Sequence, residues 1–172
     1  MAAAKLLRPF HKENKMIEYK KLDCGISLVT EYEPNEQAAS IGVWVGAGSV
    51  CENDFNNGVS HYIEHMFFKG TDKMNAFELA KAADDIGASI NAFTGREATC
   101  YHIKALTEVF PKATEIVFEM LCNSIFDPEE MERERNVIKE EMMMIEDTPD
   151  EYCLDLLSDR VFFGTPLQKT II

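Results

Sequence analysis

An α+β fold is predicted, a mainly antiparallel sheet with helices packed on one face, and three observations predict it. Strand-like alternation comes first, helices are interspersed with further strands in the middle, and helical periodicity takes over at the end. The chain has 172 residues, of which 46% are hydrophobic and 27% charged, enough for one domain with a real core. No internal repeat or low-complexity linker divides it.

Taken in order, residues 17–32 alternate well enough for two strands around a turn at Asp23-Cys24-Gly25, closed by Pro34-Asn35. Residues 39–45 read as a third strand, and Ile41-Gly42-Val43-Trp44-Val45 is apolar enough to be central in the sheet. Gly46 and Gly48 end that strand, where glycine permits unusual backbone angles. Residues 51–57 form a polar loop. A helix is expected over residues 59–67, stopping near Lys69-Gly70-Thr71, with Met66, Phe67 and Phe68 packed in the core.

Asn75 and Glu78 form a capping box for the next helix, which Gly87 ends and which buries Phe77, Leu79, Ala80 and Ala83. Strands follow at 89–92 and 98–106. Proline at 111 opens a helix to residue 124 that buries Ile116, Val117, Met120 and Leu121. Asp127-Pro128-Glu129-Glu130 starts a long acidic helix that Thr148-Pro149 breaks. Met142, Met143 and Met144 read as core filler, and a last helix over residues 150–162 turns Tyr152, Leu154, Leu156, Leu157 and Val161 inward.

The chemistry gathers at His61-Tyr62-Ile63-Glu64-His65. On a helix the two imidazoles leave one face a turn apart, beside a carboxylate. Zinc accepts imidazole nitrogen, and a catalytic zinc site keeps three protein ligands and one open position. Glu64 is then the candidate base for a water attacking a carbonyl. The competing reading is two surface histidines on an amphipathic helix, although two of the chain's four histidines fall here. The order H-x-x-E-H is the inverted zincin signature.

A third ligand is expected on the acidic helix. Glu134, Val137, Ile138 and Glu141 recur at helical spacing, so one face sets two carboxylates among apolar side chains, which is costly unless they are paired or metal-bound. Glu141 is assigned as ligand and Glu134 as a supporting group behind it. The bland alternative is a solvated charged face, and it is preferred for Glu140. His102 reads as a strand histidine rather than a fourth ligand, because a closed four-ligand shell would abolish the open position.

The string Gly58-Val59-Ser60-His61-Tyr62-Ile63-Glu64-His65-Met66-Phe67-Phe68-Lys69-Gly70-Thr71, together with Arg133-Glu134-Arg135-Asn136-Val137-Ile138-Lys139-Glu140-Glu141-Met142, closely resembles the insulinase-like, or pitrilysin-type, metallopeptidases, which include the mitochondrial processing peptidases. The likeness runs from about Tyr19 to about Phe163. It implies Zn2+ held by His61, His65 and Glu141, with Glu64 as general base and Glu134 as supporting acid. It also implies that Asn91, Ala92, Phe93 and Thr94 lie along a peptide substrate as an added strand, in which main-chain hydrogen bonds give affinity; the same segment also suits an ordinary sheet strand.

The resemblance further implies a first-half domain at residues 16–172 of a two-domain peptidase, C-terminally incomplete. A second half or subunit, in a homo- or heterodimer, would contribute the remaining substrate contacts. Residues 1–15 read as a flexible N-terminal extension with Met16 as an alternative start; they are basic and hold a single acid, Glu13, which admits a mitochondrial transit segment.

A net charge of −13 argues against nucleic acid and against anionic membrane surfaces, and no run approaches the roughly 20 apolar residues of a membrane span. Cys24, Cys51, Cys100, Cys122 and Cys153 are scattered and without a C-x-x-C pair, so neither a thiol zinc site nor a disulfide framework is expected. They read as reduced, mostly buried thiols in a cytoplasmic protein, with the mitochondrial matrix as the alternative. The expected function is a zinc endopeptidase acting on unstructured peptides. Its rivals are a non-catalytic family member and a fragment that binds zinc or peptide without turnover.

Overall fold

Residues 17–172 are described by a computed structural model; the extension expected at residues 1–15 lies outside the described residues. Strands β1 (Ile17–Lys21) and β2 (Ser27–Glu31) form an antiparallel hairpin in the register Tyr19↔Val29. The turn falls where it was expected, with Gly25 in the left-handed region at φ +91° and the Leu22 amide donating to the Ile26 carbonyl at 2.8 Å. This hairpin is a two-stranded sheet of its own.

The main sheet holds β3 (Ala38–Val45), β4 (Ser89–Thr94) and β5 (Thr99–Leu106), all antiparallel in the order β3-β5-β4. The third strand was expected at the centre, and β5 takes that place instead. Among the described residues only one face of the sheet is covered, so the apolar run in β3 splits: Ile41 and Val43 turn toward the core while Trp44 stays 65% exposed. On β5 the residues facing the helices, Tyr101, Ile103 and Ala105, are all buried.

Helices α1 (Val59–Phe67), α2 (Ala76–Asp84) and α3 (Phe110–Asn123) cover that face. The core joins Leu79 and Ala83 of α2, the three β5 residues, and Ala113, Ile116, Val117 and Met120 of α3. Phe67 of α1 meets Tyr101 edge to face with ring centroids 5.0 Å apart. Side chains of this kind each contribute about 1.5–3 kcal/mol when fully removed from water. The capping box at Asn75 and Glu78 forms in both directions, at 3.0 and 2.9 Å. In α2, however, Phe77 is 74% exposed and Ala80 is also exposed, because only the Leu79–Ala83 edge reaches the sheet.

Helix α4 (Pro128–Glu146) begins on Asp127, whose side chain accepts from the Glu129 and Glu130 amides at 2.9 and 3.1 Å, and it ends before Thr148-Pro149. Helix α5 (Pro149–Val161) follows. Burial departs from expectation here. Met142, Met143 and Met144 are exposed, and so are Tyr152, Leu154, Leu156, Leu157 and Val161. The reason is the absence of a covering layer among the described residues: α5 contacts the end of α4 and the one-turn helix Pro166–Gln168, with no sheet beneath it. The thiols differ likewise. Cys100 is buried, whereas Cys24, Cys51, Cys122 and Cys153 are exposed, each on a turn or helix face left uncovered among the described residues. Among the described residues no helix is long and apolar enough to cross a membrane.

Candidate metal centre

The ligand helix is anchored before it begins. Glu52, only 7% exposed, accepts hydrogen bonds from the amides of Gly58 at 2.6 Å and Ser60 at 2.8 Å. A carboxylate here satisfies amides that have no partner inside α1 and meets the positive end of the helix dipole. The loop carrying Glu52 is itself held against residues 95–96, with the Val50 amide 2.9 Å from the Arg96 carbonyl. Gly48 is required there for space: a Cβ would lie 2.3 Å from the Gly95 carbonyl oxygen, while its φ of −160° is ordinary extended backbone. The role expected for Gly48, an unusual angle, is therefore replaced by close approach. Nothing local in the polar loop singled out Glu52; only the fold brings it beneath α1.

From this anchored helix His61 and His65 project on one face, their Nε2 atoms 3.2 Å apart. Helix α4 lies alongside, and the Tyr62 hydroxyl donates to the Met131 carbonyl at 2.5 Å. Glu134 is 4% exposed, with Oε1 2.8 Å from His65 Nδ1 and Oε2 2.5 Å from Lys69 Nζ. Burial alone would raise its pKa, but the Lys69 ammonium and the His65 ring outweigh that and hold the carboxyl below its usual range. With an anionic acceptor at Nδ1, His65 presents Nε2 toward His61 and Glu141.

Glu141 brings Oε2 to 3.5 Å from His65 Nε2 and 4.0 Å from His61 Nε2. Burial, reinforced by the neighbouring His65 and partly opposed by Glu52, pushes the His61 pKa down to about 4. His61 is therefore neutral near pH 7 and has a lone pair to donate. These three atoms are a candidate cation site. Four donors about 2.0–2.1 Å from a tetrahedral zinc stand about 3.3–3.4 Å from one another. The observed separations of 3.2 and 3.5 Å are close to that figure and the third, 4.0 Å, is longer; two imidazoles with a carboxylate suit zinc.

Glu64 leaves α1 toward the sheet, where its Oε2 accepts a hydrogen bond from Thr94 Oγ1 at the end of β4. Of the four residues assigned to substrate, Thr94 is thus the one that touches a candidate catalytic group. Asn91, Ala92 and Phe93 lie on the same strand, which is an edge of the three-stranded sheet among the described residues. Phe93 turns to the uncovered face and meets Trp44 edge to face at 5.5 Å. His102, also on that face in register with Gly42 and Asn91, stands outside the cation cluster.

The family model for insulinase, peptidase family M16, matches residues 27–172. The chain belongs to that family. Among its curated relatives it is 43% identical over 155 residues to the uncharacterized zinc protease YmxG of Bacillus subtilis, covering 89% of this chain and 38% of that protein. It is 40% identical over 152 residues to the mitochondrial-processing peptidase subunit beta of Saccharomyces cerevisiae, covering 88% of this chain and 33% of the relative. The chain therefore spans about a third of the length of these insulinase-family relatives. A protease from Helicobacter pylori superposes with a TM-score of 0.69 at 28% identity, over 73% of this chain and 30% of that one. A peptidase M16 inactive domain from Pseudomonas fluorescens superposes with a TM-score of 0.82 over 90% of this chain and 38% of that one; at 14% identity it speaks to the fold alone.

Proposed function

We propose that this chain is the zinc-binding, first-half domain, residues 16–172, of an endopeptidase that hydrolyses unstructured peptides. The observation that carries the reading is the convergence of His61 Nε2, His65 Nε2 and Glu141 Oε2, beside a Glu64 carboxylate that Thr94 orients. His61, His65 and Glu141 would hold the metal. Zinc, when bound, supplies Lewis acidity that polarises a scissile carbonyl and acidifies water. Glu64 takes a proton from the attacking water as its oxygen bonds to the carbonyl carbon, then passes that proton to the amine as the carbon–nitrogen bond breaks. Glu134 keeps His65 oriented throughout. The edge of β4, Asn91 to Thr94, has no neighbouring strand on its outer side among the described residues and offers main-chain groups to an extended peptide, the Ala92 amide donating to Asn91 Oδ1 at 2.8 Å until a substrate takes its place.

The relatives' greater length supports a second half or partner subunit, in a homo- or heterodimer, that completes the substrate cleft. It also favours a second reading specific to this chain: zinc binding without turnover until that half is present. Zinc per chain is expected to be near one in the wild type and near zero in His65→Ala, and metal analysis showing none in the wild type overturns the site. Cleavage of an unstructured peptide is expected to fail in Glu64→Gln. Zinc retained with no cleavage in either protein selects the second reading.

A further inference from the structure

We propose that Lys69 is a positioning residue of this metal centre: through Glu134 it holds His65 with Nε2 facing His61 and Glu141, and it ties the end of α1 to α4. The inference rests on the zinc reading above and extends it to a residue that touches no ligand atom. Glu134 is buried and divides its two oxygens, one to His65 Nδ1 at 2.8 Å and the other to Lys69 Nζ at 2.5 Å. Without the ammonium, Oε2 would be a charged oxygen with no partner in a nearly dry position, and the carboxylate would rotate away from the imidazole to find one. A surface ion pair would carry no such consequence. This one does, because the side chain of its acid is 6% exposed.

The second observation is that His65 is shared between the two acids of α4. Lys69 leaves the turn that follows α1, its amide 3.0 Å from the Met66 carbonyl, four residues beyond His65 as His65 is four beyond His61. On α4 the complementary acids, Glu134 and Glu141, are two turns apart, about 10 Å along the axis. Glu134 meets Lys69 and His65, and Glu141 stands nearer His65, at 3.5 Å, than His61, at 4.0 Å, so the His65 ring faces both acids. Fixing Glu134 against Lys69 therefore fixes the ring that Glu141 also faces. Tyr62, bonded to the Met131 carbonyl, pins the same pair of helices from the neighbouring face.

The test compares Lys69→Met, which removes the charge at similar length, with Lys69→Arg, which keeps it, in the 172-residue chain. Imidazole nitrogen NMR of the metal-free protein reads the His65 tautomer, and competition with a chromophoric chelator reads zinc affinity. Lys69→Met is expected to lose the single Nδ1–H tautomer and to bind zinc about 10–100-fold more weakly. Lys69→Arg is expected to retain both. If Lys69→Met does not fold, as judged by circular dichroism, Lys69→Gln replaces it with the same expectations. A neutral variant that keeps both the tautomer and the affinity overturns the proposal, as does Lys69→Arg losing both. A wild type that binds no zinc defeats the function proposed above, while the tautomer comparison in the metal-free chain still decides the role of Lys69.

Discussion

Two parts of this molecule carry large apolar side chains at helical spacing and treat them in opposite ways. In α3 the residues Ala113, Ile116, Val117 and Met120 are all buried against β5. In α5 and the end of α4, Leu154, Leu157, Val161, Met143 and Met144 stand open to water. Periodicity states which face of a helix gains by being covered, and whether a neighbour covers it is a property of the assembled layers. The metal centre sits at the boundary: α1 belongs to the covered part, and α4 runs from it into the open one.

The contrast is broken or sharpened most strongly by paired truncations. Met120→Ala is expected to lower unfolding free energy by about 2–5 kcal/mol, and Leu154→Ala by under about 0.5 kcal/mol, in urea titrations of the chain. Equal costs would mean that the two stripes are covered alike in solution. A smaller effect is expected at the anchor of α1. Glu52→Ala strands the Gly58 and Ser60 amides and should cost about 1–3 kcal/mol, with faster hydrogen exchange at the first turn of α1 and none of that change in α5. Uniform exchange across both helices would show that Glu52 acts on the whole domain.

A further test is a pH dependence confined to the covered part. The folded pKa of His61 lies at about 4 against 6.5 for a free side chain, so below pH 6.5 the unfolded chain takes up a proton that the folded chain refuses. Stability of the metal-free protein should therefore fall as pH drops from about 6.5 to about 4, and the contribution of this group should level off below that. The urea midpoint of His61→Gln should decline less steeply over the same window. An identical slope would show that His61 is as wet as the exposed side chains of α5.

Much of the local structure was legible from neighbouring residues. The limits of α1, the capping box at Asn75, the start of α4 on Asp127 and its break at Thr148-Pro149 depend on contacts within a turn or two. The centrality of β5 was not legible, because the apolar run of β3 reads the same whether one face is covered or two. Phe77 and the three methionines were misjudged for the same reason. At the site, His61, His65, Glu64, Glu134 and Glu141 were nameable from spacing and resemblance, whereas Glu52 in a polar loop and Lys69 just past the helix carried no local signal of what they would touch.

The amino-acid order by itself determined the local elements and the donor atoms available on two helix faces, since both follow from backbone periodicity, caps and side-chain chemistry. The tertiary structure alone decided which stripe found a neighbour, which strand lay at the centre, and that Glu134 would share its two oxygens between an imidazole and an ammonium. Those outcomes depend on pairings between residues some 70 positions apart, such as His65 with Glu134, and no local pattern encodes the distance across such a gap.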